Sequence, residues 1–148
     1  MLGETAHYAP HSWLQSGVGV LNGVVAAGAV WHGVEMLRSP DPVRKLEGVN
    51  HLLMGAGCGL VSAHLLGGGH ELAGVGSKLL VAHGLGEVAM GSYRAATGKS
   101  AVPGLLQAAH GACLMGAELI PGAALPLCVA MAGVTAAQIW VHKKKAVE

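Results

Sequence analysis

Apolar positions in this chain come in long runs, with no alternation that would mark a strand. The first run extends from about Trp13 to Leu37 and stops at Ser39-Pro40-Asp41-Pro42, where two prolines forbid helix continuation. The second covers roughly 46–66 and ends at Gly67-Gly68-Gly69. The third covers about 71–94, before Thr97-Gly98-Lys99-Ser100. The fourth, about 102–120, opens with Pro103 in its first turn, where proline is tolerated, and ends at Pro121-Gly122. The fifth covers about 123–142 and stops in Lys143-Lys144-Lys145. Alanine and glycine are poor strand formers, so the pattern predicts an all-α chain of five helices. Each is roughly 20–25 residues long, and about 20 apolar residues cross a bilayer.

The cations mark alternate turns. None lies in the N-terminal tail, Arg38, Arg44 and Lys45 lie at the first turn, and none lies at the second. Arg94 and Lys99 lie at the third, none at the fourth, and three lysines follow the fifth run; only Lys78 falls inside a run. Alternation of this kind is the positive-inside pattern of five spans with the N-terminus outside and the C-terminus inside. The expected architecture is a single integral-membrane domain over 1–148, a polytopic helical bundle of about five glycine-rich transmembrane helices. The distribution suits a bacterial inner membrane. Four spans with a half-inserted third segment, which carries Lys78, His83 and Glu87, is the nearest alternative, and a water-soluble bundle is the next. The tail MLGETAHYAPHSW carries Glu4 and no Lys or Arg. It therefore lacks a basic signal-peptide n-region, and the first run is expected to persist in the mature protein.

Composition agrees with this picture. Of 148 residues, 52% are hydrophobic and 11% charged, and the mean hydropathy is +0.51; an ordinary soluble domain carries about 25% charged residues. A net charge of +1 excludes the basic footprint of a nucleic-acid binder. Glycine, 24 residues, is expected to carry the packing. Gly19 with Gly23, Gly28 with Gly33, Gly55 with Gly59, and Gly84 or Gly86 with Gly91 recur about one turn apart, as small residues do where helices approach closely in lipid. Cys58, Cys113 and Cys128 lie in apolar runs without a C-x-x-C spacing, which argues for small buried hydrophobes rather than a disulfide or zinc framework. Residues 49–56 resemble 109–117, and His-Gly recurs at His32, His83 and His110, a pattern that duplicated hairpins would leave.

Nine histidines in so uncharged a chain are the feature that suggests chemistry. Counting from the helix ends puts His32 and His51 at one depth near the inner face. It puts His83 and His110 near the midplane, and His64 and His70 at the outer turn between helices two and three. Glu35, Glu47 and Glu87 stand three or four residues from His32, His51 and His83, on the same helix face. Ionisable groups at membrane depth face a bundle interior, a cavity or a cofactor, and histidine there ligates haem iron, binds a transition metal or relays protons.

The sequence therefore leads to a small integral-membrane subunit that anchors or scaffolds a larger assembly, or forms a homo-oligomer, in the lipid bilayer. A b-type haem or a quinone would sit between histidine-bearing helices, held by His83 and His110, with His32 and His51 as the second pair. His64 and His70 are the candidate metal pair, and Glu87 and Glu118 the candidate proton or ion path. A proton or divalent-metal channel is one alternative, and a purely structural glycine-zipper oligomer another. Catalysis is not expected: the chain has no nucleophile elbow, P-loop, Rossmann glycine pattern, H-E-x-x-H or EF-hand.

Overall fold

The computed structural model describes residues 13–98, 101–120 and 122–147, with Leu14 and residues 142–147 in backbone only. Among the described residues the chain forms five α-helices and no strand: α1 (Trp13–Leu37), α2 (Pro42–Leu65), α3 (His70–Ala96), α4 (Ala101–Leu119) and α5 (Ala124–Val147). Lys99, Ser100 and Pro121 of the expected turns, and the N-terminal tail, lie outside the described residues.

Helix ends depart from the expectation where capping chemistry decides them. α2 begins at Pro42 rather than near Leu46. Asp41 caps it, its carboxylate accepting from the Val43 N–H at 2.9 Å, and Pro42 fills the first helical position, where its missing N–H costs nothing. The prolines that stop α1 therefore also start α2. α5 runs through the three lysines to Val147, because lysine is a good helix former and a cation suits a helix C-terminus. Gly67, Gly98 and Gly122 take positive φ in the turns, a conformation that side chains with a Cβ resist.

Among the described residues the helices form an antiparallel row in which each packs only on its chain neighbours: α1 on α2, α2 on α3, α3 on α4 and α4 on α5. Glycines facing glycines close most of this row. A Cβ on Gly33 would lie 2.8 Å from the Gly48 carbonyl oxygen, and one on Gly48 would lie 2.7 Å from that of Gly33. Gly57 and Gly76 abut in the same way between α2 and α3, as do Gly84 with Gly111 and Gly91 with Gly104 between α3 and α4. Of the glycines expected to pack, Gly28 faces open space and Gly59 approaches only the Ala26 Cβ, at 3.8 Å.

Burial is inverted relative to a water-soluble bundle. Among the described residues the buried apolar side chains are Ala26, Ala29, Cys58 and Leu80, all small except the leucine. Glu47, Asn50, Ser62, His83, Glu87 and Gln107 are also buried, while Leu21, Val24, Leu85, Leu105, Leu125 and Val129 are exposed. Two stretches, Gln15–Leu37 and Ala124–Val141, are long and apolar enough to cross a membrane, and α2, α3 and α4 fall short by composition. Five separate spans are thus not established by hydropathy.

Candidate functional site

A cavity of about 720 Å³ lies in the half of the row nearest the cation-bearing turns, within the range of about 300–1,000 Å³ usual for small-molecule sites. All five helices line it. Met36 comes from α1, Glu47, His51 and Met54 from α2, His83, Glu87 and Arg94 from α3, Gln107 and His110 from α4, and Thr135 and Gln138 from α5. The row therefore curls enough for α1 and α5 to face the same space although they do not pack together.

His83 is the most deeply buried large side chain, 2% exposed. Its Nδ1–H donates to the Asn50 carbonyl of α2 at 3.0 Å. A carbonyl only accepts, so this bond places the proton of the neutral ring on Nδ1 and leaves Nε2 with its lone pair. Nε2 is buried and has no hydrogen-bond partner. Leaving such an atom unpaired costs about 1–3 kcal/mol, and an exception of this kind in a packed interior calls for a functional explanation. His51 repeats the arrangement, its Nδ1–H donating to the Glu47 carbonyl one turn earlier at 3.0 Å. The two ring centroids are 6.3 Å apart, with their planes at 71°. His32 stands beyond His51, at 5.2 Å between centroids.

A polar network ties the three central helices beside these rings. Asn50 Nδ2 donates to Glu87 Oε1 at 3.0 Å, so one asparagine holds both His83 and Glu87. Glu47 pairs through Oε1 with Arg94 Nη2, and Arg94 Nη1 donates to Gln107 Oε1 at 2.9 Å. Glu47 is almost fully buried while Arg94 is about one-third exposed, which puts this pair at the rim of the cavity.

The expected site residues fall into distinct places. His83 and His110 line one cavity, but the glycines that follow them, Gly84 and Gly111, abut each other. No gap remains between α3 and α4. His32 and His51 do meet, yet His32 is half exposed with its ring 3.9 Å from the Glu35 carboxylate. His64 and His70 meet at the outer turn, with centroids 5.0 Å apart, and His64 Nδ1 is buried without a partner. Among the described residues no three His, Cys, Asp or Glu side chains come together as a metal site. Glu87 sits in the cavity wall, whereas Glu118 lies apart, accepting from the Ser77 hydroxyl of α3. Cys58 is buried, Cys113 half-buried and Cys128 exposed.

Asn50, Arg94 and Gln107 were not expected as site residues. The usable signal was an amide or cation at the same helical face as a histidine or glutamate: Asn50 three residues after Glu47, Gln107 three residues before His110, and Arg94 seven after Glu87.

Comparison with known proteins leaves the argument to this geometry: no family model, curated protein or solved structure matches the chain.

Proposed function

We propose that this chain is a small multi-pass membrane subunit that anchors a larger assembly and holds an electron-carrying ligand in the histidine cavity. The membrane reading is supported by the inverted burial. In water, large apolar side chains go inside and Glu, Asn and His go out; in lipid the preference reverses. The same fact accounts for the modest hydropathy of α2, α3 and α4. Five of the residues that lower it, Glu47, Asn50, His83, Glu87 and Gln107, are buried and so are spared contact with lipid, whereas Lys78 of α3 and Glu118 of α4 are exposed. On the positive-inside pattern the cavity lies toward the cytoplasmic side.

The ligand reading is carried by one observation, the buried and unpartnered Nε2 of His83. A lone pair there receives a metal or accepts a hydroxyl proton, which points to haem iron, a bare metal ion or a hydroquinone. A haem fits poorly. Between His83 and His110 the helices touch, and between His51 and His83 the Asn50 bonds to His83 and Glu87 close the α2/α3 seam that a macrocycle edge would enter. A metal ion or a hydroquinone hydroxyl is small enough to approach His83, which lines the cavity, with the helix seams left closed. Holding is favoured over conducting, because the lining stops at the level of Met54 and His83. Beyond it Ala26, Cys58, Leu80 and Val61 fill the interior.

The test is gentle detergent extraction of the full chain, followed by an absorption spectrum, organic extraction and metal analysis. A stoichiometric ligand that His83→Ala loses while retaining its helical circular dichroism is the expected result. A chain that fractionates without detergent overturns the membrane reading. One that carries and binds none of these ligands overturns the ligand reading.

A further inference from the structure

We infer that the ligand is a single soft metal ion, cuprous copper, held by Nε2 of His51 and His83 with the Met54 thioether as the third ligand. This rests on the reading that His83 is a ligand in the cavity, and it names the chemical class.

Three observations converge on it. First, both imidazoles are fixed in the tautomer a metal needs. His51 and His83 each give Nδ1–H to a carbonyl of α2, the outer-shell arrangement that orients metal-bound histidines and raises their basicity. Two neighbouring rings that both present lone pairs have no proton to give each other, and one cation between them satisfies both lone pairs at once.

Second, the spacing fits one ion. A metal–nitrogen bond is about 2.0 Å, and the centroid of the ring lies about 1 Å further on. Two imidazoles on one ion thus have centroids about 6 Å apart when the N–metal–N angle is wide. The 6.3 Å between the His51 and His83 centroids is of this size and suits an ion held at a wide angle between the rings. A closed-shell cuprous ion accepts linear or T-shaped coordination, whereas structural zinc demands a tetrahedral set of four.

Third, the donor set is soft and short. No third His, Cys, Asp or Glu joins the pair among the described residues, which leaves harder divalent ions under-coordinated. Met54 follows His51 by three residues, hence on the same helix face, and lines the same cavity. Thioether with imidazole selects Cu(I). The half-exposed His32 stands on the far side of His51, and the carboxylate of Glu87 is held by Asn50.

The experiment uses the full chain in detergent, Cu(I) kept reduced with ascorbate, and a chromophoric cuprous chelator as competitor. One Cu(I) per chain is withdrawn from the chelator, and X-ray absorption shows nitrogen with sulfur scattering. His51→Ala and His83→Ala each weaken binding more than about tenfold, since loss of an outer-shell partner alone costs that much. Met54→Leu, a volume-conserving change that keeps the fold, removes the sulfur signal and weakens binding less. Copper left with the chelator, copper retained in the His51→Ala/His83→Ala double variant, or Zn(II) bound as tightly as Cu(I) overturns the inference. If the chain takes no Cu(I) but carries a quinone or haem that His83→Ala loses, copper is overturned and the cavity reading stands. If none of the three binds, both fall.

Discussion

The seam between α3 and α4 and the seam between α2 and α3 are built on opposite principles. Along α3/α4, Gly84 meets Gly111 and Gly91 meets Gly104, seven residues apart on both helices, so the backbones touch in one continuous register. The α2/α3 seam begins the same way at Gly57 and Gly76, but nearer the cation-bearing end glycine gives way to Asn50, bonded to both His83 and Glu87. There a void opens on each side of the seam. The histidine cavity lies on one side, and an apolar groove of about 380 Å³ lined by Leu46, Leu53 and Leu85 lies on the other. In lipid, helices associate by close backbone packing and by interhelical hydrogen bonds, because no hydrophobic force drives them together. Glycine contacts use the first route and leave no space, whereas polar contacts hold helices at side-chain distance and leave room for a ligand. The candidate site lies at the seam that glycine closes only in part.

The largest effect should come from the polar side of this contrast. Arg94→Met leaves Glu47, 8% exposed, without its cation. Breaking a buried pair costs about 3–5 kcal/mol, and the partial exposure of Arg94 puts the expectation near the low end, about 3 kcal/mol. Unfolding of the full chain in a denaturing detergent titration measures it. Glu47→Gln combined with Arg94→Met should recover most of that loss, since the stranded charge is then gone; an uncorrected double variant would mean that Arg94 acts through Gln107 instead.

Next comes the zipped seam. A Cβ on Gly91 would lie 2.5 Å from the Ala108 nitrogen and from the Gly104 carbonyl oxygen, both backbone atoms that cannot swing aside. Gly91→Leu should therefore force α3 from α4 and cost about 2 kcal/mol, within the range of overpacked cores. The same detergent titration reads this loss. A stability equal to wild type would show that the two helices slide past each other freely. Asn50→Leu is expected to cost slightly less, about 1–2 kcal/mol, because it strips Glu87 of its partner but spares the backbone bond to His83. It should leave the α3/α4 hairpin intact, which cysteine cross-linking at that seam can report.

Much of this was legible in the sequence, and the misses have physical causes. Proline and glycine punctuate the helices because they break hydrogen bonding and admit positive φ whatever the tertiary context, so the five elements were readable. The meeting of His64 with His70 follows from a turn too short to separate them. The contact of His51 with His83 was not readable. Depth counting pairs residues within hairpins, and it assigned His51 to His32 and His83 to His110. It carries no information on how far α2 and α3 slide relative to each other. Arg94 looked like a turn residue because it marks the cationic end. Its side chain turns back along the helix to Glu47, forty-seven positions earlier in the chain, and no local pattern records that. Glycine pairing was half readable. The one-turn spacing found Gly33, Gly84 and Gly91, but it also claimed Gly28, which faces nothing.

Gly28 supplies the smallest and most discriminating test. Nothing lies within 4 Å of a Cβ built there, so Gly28→Ala removes backbone freedom without meeting a neighbour. In a helix this exchange is worth up to about 1 kcal/mol in favour of alanine, and a small gain of about 0.5 kcal/mol is expected in detergent titration. Gly33→Ala, five residues along the same helix, places its Cβ 2.8 Å from the Gly48 carbonyl oxygen and should lose stability instead. The opposite signs separate two causes of so glycine-rich a chain. If both variants gain, glycine density is a bias of composition and the helices have room to spare. If Gly28→Ala gains and Gly33→Ala loses, glycine is kept where backbones touch, and the unzipped α2/α3 seam is the exception that makes the cavity.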